Sequence, residues 1–465
     1  MTNGTKKGVQ QKSSPFTIAN IRYFVAFRLF FNARFYYPVF TILFLDYGLT
    51  IEQFALLNSV WAATIVLAEV PSGALADLIG RRSLLLTTSV LMVLEMLLLS
   101  FVPIENISLV FWAFLLNRIL SGLAEAMASG ADEALAYDSL VEQGDKDEWP
   151  AVLSVMMRIN SLGSIVTMSF GALIYDPQIV NKILYFFGSS LVLDQQTTMR
   201  FPVYLTLVLG IFACITVLLM KETAQSGEDG EAISTHLQKI SKAFRLTMSA
   251  GKWIITTPFA LVVILFAMGF DHILRLTITM VSQYFRLIEL PEASFGLIGS
   301  AMAVVGLFIP KIAEKMVRRY SPAQNMLWLS GIVMAALLGI SAFVPYWGLI
   351  PVLLVSSGLM LTSFFTSHYL NRIADSSQRA TVLSFKGLAF NLAYGFIGVA
   401  FAGLISIIRA HNSSANPGLG ENVIENISFK SAIFWLNPYT LVIIILTILF
   451  AGYLLRNSDI HKQKG

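Results

Sequence analysis

Long apolar stretches dominate the chain, and short polar segments separate them. Twelve of these stretches are near the ~20 residues that an α-helix needs to cross the hydrocarbon core of a bilayer. Because lipid offers the backbone no hydrogen-bond partner, runs this long and this apolar are predicted to be helices. The predicted spans are 20–45, 52–75, 83–103, 109–135, 150–175, 200–220, 257–286, 293–316, 324–344, 347–370, 381–408 and 436–456.

One polar connection is much longer than the others and separates two groups of six spans. It opens polar at 225–230 and then carries apolar residues at helical spacing: Ile233, Leu237, Ile240, Phe244 and Met248. We therefore predict an all-α polytopic membrane protein with an N-terminal six-helix bundle (1–220), a cytoplasmic linker (221–256) and a C-terminal six-helix bundle (257–465). The amphipathic linker helix is predicted to lie on the inner leaflet, and a solvated helix is the alternative.

Composition excludes the soluble classes of protein. The chain is 56% hydrophobic and 13% charged, whereas an ordinary soluble domain has roughly 25% charged residues. The net charge of +4 does not indicate a nucleic-acid partner, because most of the basic residues lie in loops between spans. We expect no signal peptide, and the single cysteine, Cys214, leaves no intramolecular disulfide.

The distribution of basic residues predicts the orientation of the chain in the membrane. Most of the 32 lysine and arginine residues fall in loops on the side of the N terminus, and few fall on the opposite side. Since cytoplasmic loops carry the excess of basic residues, both termini are predicted to be cytoplasmic. We expect the protein to be an integral, multi-pass protein of the plasma (inner) membrane.

The loop between the second and third spans carries the most informative motif. In it, glycine, acid and basic residues follow at fixed intervals: Gly73, Asp77, Gly80, Arg81 and Arg82. The spacing of the acid and the basic pair returns between the eighth and ninth spans, at Glu314, Arg318 and Arg319. Two copies in two hydrophobic halves indicate a duplicated transporter, whose substrate site is expected between the repeats near the bilayer midplane.

These features resemble the major facilitator superfamily of transporters. Segment 73–82 is similar to the signature of its loop 2–3, G-x-x-x-D-x-x-G-R-[KR], and segment 117–122 resembles its R-x-x-x-G pattern in span four. The resemblance covers the chain from the first span to the twelfth. One departure counts against a drug–proton antiporter: segment 163–171 in span five lacks the proline of that group's kink motif.

The resemblance implies two pseudo-symmetric six-helix bundles that alternately open a central cavity to each side. It also implies that loop 2–3 is a cytoplasmic gate. Asp77 would hold the N-terminal end of a helix in the opposite half, and Arg81 would pair with an acid at the inner end of span four. Asp138 is the candidate for that acid. Simple anchoring by positive charge is the alternative interpretation of this cluster.

Charged side chains inside the spans predict where substrate and protons bind, because each costs about 2.5–3.5 kcal/mol at a helix centre. In span four, Arg118, Glu125 and Asp132 follow at intervals of seven residues, so a continuous helix would place them on one stripe beside Glu133. Further polar candidates lie in spans one, seven, ten and eleven: Arg28, Asn32, Arg34, Asp271, His272, Arg275, His368 and Asn391.

Such a mixed-sign cavity suits a small charged or amphipathic organic substrate and a proton site. Asp132 is the first candidate for proton exchange and Glu125 the second. Either Arg28 or Arg34 is expected to contact the substrate or an acid of span four, and the nearby Asn32 favours Arg28. Structural alternatives remain open: interhelical ion pairs, pairing within one helix, and histidines that serve only in packing.

The sequence therefore predicts a secondary active transporter that is proton-coupled, with export favoured. Uptake of an organic anion or zwitterionic metabolite is the first alternative, and a non-transporting membrane sensor or assembly protein is the second. No phosphate-binding loop, metal-ligand cluster or nucleophile motif appears, so we expect no cofactor, no metal and no enzymatic activity. The expected partners are a small-molecule substrate, protons and membrane lipid, and we expect a monomer.

Overall fold

A computed structural model describes residues 14–223, 236–306, 308–374 and 379–462 of the 465-residue chain. Every regular element in these ranges is helical. The α-helices are α1 (Ala19–Asn32), α2 (Phe40–Asp46), α3 (Ile51–Ile79), α4 (Arg81–Phe101), α5 (Ile107–Ala128), α6 (Ala131–Gln143), α7 (Trp149–Tyr175), α8 (Pro177–Phe186), α9 (Gln195–Thr198), α10 (Phe201–Leu219), α11 (His236–Thr256), α12 (Pro258–Thr279), α13 (Val281–Leu287), α14 (Phe295–Gly306), α15 (Ile309–Arg319), α16 (Pro322–Ser341), α17 (Leu349–Ile373), α18 (Arg379–Ala415) and α19 (Glu421–Lys462).

Eleven helical stretches of the described chain are long and apolar enough to cross a membrane. The first predicted span, 20–45, is not among them, because α1 and α2 are short helices joined by the irregular segment 33–39. A single helical turn (Tyr37–Val39) around Pro38, which has no amide hydrogen to donate, separates the two helices. The prediction of an unbroken first helix is therefore wrong, whereas the all-α membrane fold is confirmed.

Other predicted spans also differ from single straight helices. The fourth divides into α5 and α6 at Ser129 and Gly130, and the seventh divides into α12 and α13 at Met280. The last helix, α19, extends well beyond its predicted span and contains Pro438. Irregular backbone at membrane depth is tolerated where it is buried in protein or lines a cavity. Such breaks are therefore expected beside a cavity or where the backbone is buried in protein.

An aromatic cluster fixes the broken first segment. The Phe44 ring lies edge-on to the rings of Phe54 and Phe114, with centroids 4.9 and 4.5 Å away, and Tyr47 contacts Phe114 at 5.1 Å. All four side chains are essentially inaccessible to solvent. Such edge-to-face pairs add about 0.5–1.5 kcal/mol each to the free energy of burial, so α2 is held firmly against α3 and α5.

The N-terminal half (14–223) and the C-terminal half (236–462) meet along two long helix pairs, α3 with α18 and α7 with α14. The second pair is very close at Gly296, where an added Cβ would lie 2.0 Å from the carbonyl oxygen of Met168. Only glycine allows this approach, which also brings the hydroxyls of Ser169 and Ser300 within 3.2 Å. The halves therefore form one close-packed bundle along these helices.

The two ends of the bundle carry different polar contacts. We name them the Asp46 end, where α2 ends and α3 begins, and the Arg81 end, where α3 ends and α4 begins. At the Asp46 end, two arginines of the C-terminal half bind acids of the N-terminal half. Arg286 lies 2.9 Å from Asp46, and Arg409 lies 2.9 Å from Glu52. These ion pairs join the halves at the Asp46 end.

The predicted linker helix corresponds to α11, which packs against α3, α12 and α18. Phe244 and Met248 on this helix are exposed, whereas Ile254 is buried. The polar opening of the linker at 225–230 lies outside the described residues. The position of the linker helix on the inner leaflet stays a prediction.

Candidate functional site: a cavity between the halves

A cavity of about 380 Å³ lies between the two halves, where the irregular segment 33–39 and helices α3 and α5 face α12, α13 and α18. Its polar lining comprises Arg34, Asn58, Arg118, Ser121, Glu125, Arg275, Thr279 and Ser282. Its aromatic lining comprises Tyr36, Tyr37, Phe40, Trp61 and Tyr394. The cavity therefore combines three guanidinium groups with one carboxylate and several aromatic rings.

Arg118 on α5 is the best-buried arginine of this lining, with 4% of its surface exposed. Its Nε and Nη2 both donate to Asn117 Oδ1, at 3.0 and 2.7 Å, and its guanidinium lies over the rings of Phe40 and Phe44. Among the described residues, no carboxylate oxygen lies within the 4.0 Å of an ion pair with Arg118. Since a buried charge without a counter-ion is costly, a bound anion would stabilise this site.

Arg34 reaches the cavity from the irregular segment between α1 and α2. Behind it lies Glu95 of α4, which is fully buried, with Oε1 3.5 Å from Arg34 Nη2. The backbone carbonyl of Glu95 accepts a hydrogen bond from Asn117 Nδ2 at 3.0 Å. The same asparagine thus holds both the Arg118 side chain and the backbone of the helix that carries Glu95.

Arg275 faces the cavity from α12, on the opposite wall. Its Nη2 lies 2.7 Å from Asp271, and its Nη1 donates to Asn391 Oδ1 at 2.8 Å. Its guanidinium also lies over the Tyr394 ring, 5.4 Å from the centroid. The structure therefore contains the ion pair within one helix that the sequence left open as an alternative, and Asn391 of α18 supports it.

Arg28, Asp132 and Glu133 form a separate cluster. Arg28 Nε lies 2.7 Å from Asp132, and its Nη2 lies 2.6 Å from Glu133. The expectation that Asp132 shares one stripe with Arg118 and Glu125 is wrong, because the helix ends at Ala128 and a new one begins at Ala131. The break redirects Asp132 towards α1, and no member of this cluster is among the described residues that line the cavity.

Three other predicted residues lie elsewhere. Asn32 is exposed at the end of α1. His272 contacts the Tyr439 hydroxyl at 2.9 Å and the Met268 carbonyl, and it lines an apolar cavity of about 570 Å³ between α12, α18 and α19. His368 stacks on Phe364. None of these three side chains is among the described residues that line the central cavity.

The loop 2–3 motif is built around a sharp turn. Helix α3 ends at Ile79, Gly80 has a φ of 85°, and α4 begins at Arg81. The Arg81 guanidinium pairs with the carboxylate of Asp138 on α6. The side chains at positions 73 and 77 lie outside the part of the chain that the structure describes, so the expected role of Asp77 stays a prediction.

The loop 2–3 motif also holds the end of α10. Arg82 Nη2 donates to the carbonyl of Leu218 at 2.9 Å, and its Nε donates to that of Val217 at 3.3 Å. In return, Glu222 accepts hydrogen bonds from the backbone N–H groups of Arg81 and Arg82, at 3.1 and 3.0 Å. A carboxylate is favourable at a helix N terminus, and a guanidinium is favourable at a C terminus.

In the second half, Arg318 pairs with Glu314 one turn earlier on α15, and both side chains are exposed. Arg319 lies over the ring of its neighbour Tyr320. The second copy of the motif therefore makes its described polar contacts within its own segment, unlike the first.

The comparison with known families agrees with this architecture. The model of the family described as Major Facilitator Superfamily matches residues 23–399. The chain belongs to this superfamily of membrane transporters. It is accordingly a multi-pass integral membrane protein, whereas no curated protein sequence matches it.

Solved structures show the same fold at low sequence identity. The nucleoside transporter NupG matches with a TM-score of 0.65 at 12% identity, over 94% of this chain and 99% of that one. An inward-facing bacterial homolog of the human lysosomal transporter Spinster matches with a TM-score of 0.66 at 14% identity, over 95% of this chain and 97% of that one. A D-xylose–proton symporter matches with a TM-score of 0.59 at 12% identity, over 92% of this chain and 97% of that one. At these identities the likeness shows the fold alone.

Sequence reasoning missed several residues of the site. The polar and aromatic run 34–38 interrupts an apolar span, and this irregularity was the available signal for Tyr36 and Tyr37. Trp61 and Tyr394 carry no such signal, since aromatic residues are common in spans. Glu95 was visible as a lone acid in span three, but its proximity to Arg34 depends on the break between α1 and α2.

Proposed function

We propose that this member of the superfamily carries a small organic anion, or a zwitterion that it holds by its carboxylate, in a proton-coupled alternating-access cycle. The observation that carries the proposal is the buried guanidinium of Arg118, which faces the cavity without a carboxylate partner among the described residues. A substrate carboxylate would supply the missing counter-ion and form charge-assisted hydrogen bonds with it.

The remaining lining supports an anionic substrate with a flat part. Arg34 and Arg275 face the cavity but already have acids beside them, Glu95 and Asp271. The carboxylate of the lining itself, Glu125, is exposed. Aromatic walls offer faces for stacking, and the volume of about 380 Å³ falls within the roughly 300–1,000 Å³ typical of small-molecule sites.

The contacts at the two ends fit one state of an alternating-access cycle. Arg286 and Arg409 tie the halves together at the Asp46 end. By the positive-inside rule the Arg81 end is cytoplasmic, so the cavity is closed towards the outside. We assign the Arg81–Asp138 pair and the bonds around Arg82, all of which lie within the N-terminal half, to the loop that forms the cytoplasmic gate.

A thermal-shift experiment on the detergent-purified protein tests the substrate class with four ligands that share one phenyl ring. Benzoate is an anion, phenylalanine a zwitterion, benzamide neutral and benzylammonium a cation. A ligand that binds only the folded state raises the melting temperature with its saturation. We expect benzoate and phenylalanine to stabilise the protein and the other two to have no effect. Stabilisation by benzylammonium alone, or by none of the four, would overturn the proposal.

A matched pair of variants locates the effect. Arg118→Gln is expected to abolish stabilisation by benzoate, whereas Arg456→Gln, at an exposed position near the end of α19, is expected to retain it. Uptake of radiolabelled benzoate into proteoliposomes then separates a transporter from a sensor on the same fold. Ligand binding without any accumulation or exchange of label would favour the sensor.

A further inference from the structure

Glu95 and the substrate cavity share one arginine. Arg34 lines the cavity on one side and lies 3.5 Å from the buried Glu95 carboxylate on the other. Building on the proposed function, we infer that Glu95 is the proton-binding site of the carrier. A substrate anion competes with Glu95 for Arg34, and the carboxylate released by this competition takes up one proton.

The inference starts from a charge balance. Around the N-terminal wall of the cavity, the guanidiniums of Arg34 and Arg118 and the carboxylates of Glu95 and Glu125 carry formal charges that sum to zero, although no described carboxylate lies within ion-pair distance of Arg118. A monovalent anion adds one negative charge to this poorly solvated region. One added proton restores neutrality, and a low-dielectric site favours the neutral combination.

Burial identifies which carboxylate takes the proton. Glu125 is exposed, so water supports its charge whether or not substrate is bound. Glu95 has none of its surface exposed and depends on Arg34 for compensation. Asp132 is also buried, but it keeps its own partner, Arg28, outside the cavity lining.

The charged and polar groups that face Glu95 come from the irregular segment 33–39 and from α5. The irregular segment contributes Arg34, Tyr36 and Tyr37, and α5 contributes Arg118, Glu125 and the Ser121 hydroxyl. Helix α10, which packs on α4, has no charged residue between positions 201 and 219. The charged groups that act most strongly on Glu95 are Arg34, Arg118 and Glu125, and not the charged residues of α3 and α6, which are Glu52, Glu69, Asp77, Asp132, Glu133, Asp138 and Glu142.

The cycle follows from this arrangement. The anion binds between Arg118 and Arg34, the Arg34 guanidinium turns from Glu95 to the substrate, and a solvent proton forms an O–H bond on the freed carboxylate. The proton arrives through the cavity, because Arg34 and Ser121 border both the cavity and Glu95. Substrate release reverses each step. Anion and proton are thus bound together, one for one, and cross in the same direction.

Benzoate affinity as a function of pH tests this coupling in nanodiscs, by calorimetry between pH 6 and pH 8. If binding takes up one proton, the affinity of the wild-type protein for benzoate falls by up to about tenfold for each unit by which the pH rises. In Glu95→Gln the affinity should be retained and should vary by less than about twofold over the same range. Asp132→Asn, outside the cavity lining, should keep the wild-type slope. A Glu95→Gln protein with the wild-type slope, or a slope lost in Asp132→Asn instead, would overturn the inference.

A ligand-free measurement keeps the two proposals separable. Arg34→Met removes the partner of Glu95, so the carboxylate should become protonated, and infrared spectroscopy should show the C=O stretch of a neutral carboxylic acid at neutral pH. The band should vanish in Arg34→Met/Glu95→Gln. If benzoate fails to bind but this band appears, the substrate assignment fails and the proton site stands. If benzoate binds but no such band appears, the proton site fails.

Discussion

The connections that follow α3 and α15 carry the same spacing of an acid and a basic pair, but they use the basic pair in different ways. In the first connection, Arg81 and Arg82 are the opening residues of α4. In the second, Arg318 and Arg319 are the closing residues of α15. The same spacing therefore places arginine side chains at opposite ends of a helix.

The residue immediately before the basic pair explains why the pair opens a helix in the first connection and closes one in the second. Gly80 adopts a φ of 85°, which ends α3 and lets the chain turn. The corresponding residue of the second half is Val317, which continues the helix to Arg319. The turn there comes later, where Ser321 caps α16 and forms a capping box with Gln324.

The consequence for the two arginines is large. Arg81 is 25% exposed and binds a carboxylate on another helix, whereas Arg318 is 77% exposed and binds one on its own helix. A repeated spacing thus indicates duplication of the chain without conserving the contacts of the motif. We expect the two connections to respond differently to substitution, in the order given below.

Gly80→Val should have the largest effect. A β-branched residue at this φ is strained, and its Cβ would lie 2.7 Å from Glu222 Oε2, displacing the carboxylate that caps α4. We expect a loss of roughly 2–4 kcal/mol in unfolding free energy and a clearly lower melting temperature in detergent. Gly331→Ala, inside α16 with open space around its Cβ, is the control and should be neutral or stabilising. Equal melting temperatures for the two variants would contradict the role of Gly80.

Substitutions in the ion pair of the first connection, Arg81 with Asp138, should have the second-largest effect. A double-mutant cycle with Arg81→Gln and Asp138→Asn should give a coupling energy of about 1–3 kcal/mol, because both partners are largely withdrawn from solvent and belong to one network. Chemical unfolding of the four proteins in mixed micelles measures it. Additive effects of the two substitutions would show that the pair contributes no coupling in the folded state.

The sequence predicted the class of fold because hydrophobic length and charge segregation are local properties. It also identified Arg118, Arg34, Arg275 and Glu125, all of which line the cavity. Charges inside apolar spans are costly, so each was recognisable without knowledge of its neighbours.

The sequence failed where the geometry depends on breaks in helices. A continuous fourth helix would have put Asp132 beside Glu125, but the turn at Ser129 and Gly130 joins it to Arg28 instead. The partner of Arg34 could not be predicted either, since Glu95 is distant in sequence and approaches only because α1 ends at Asn32.

Glu222→Gln should have a smaller effect than the loss of the ion pair. The carboxylate accepts two backbone N–H groups at the start of α4, and an amide keeps the shape but removes the charge that favours a helix N terminus. We expect a loss of about 0.5–1 kcal/mol, measured by the same unfolding assay and weakened by added salt. Glu421→Gln, an exposed acid in the first turn of α19, is the matched control. A larger loss at Glu421 would contradict the special position of Glu222.

The ion pair of the second connection should matter least. Glu314 and Arg318 are both exposed and one turn apart, and such pairs contribute about 0.3–0.5 kcal/mol. A cycle with Glu314→Gln and Arg318→Gln should therefore give a coupling near that value at low salt, and none at high salt. A coupling as large as that between Arg81 and Asp138 would mean that the second connection has partners beyond its own helix. Both copies of the motif would then act as gates, and the contrast drawn from Gly80 and Val317 would not hold.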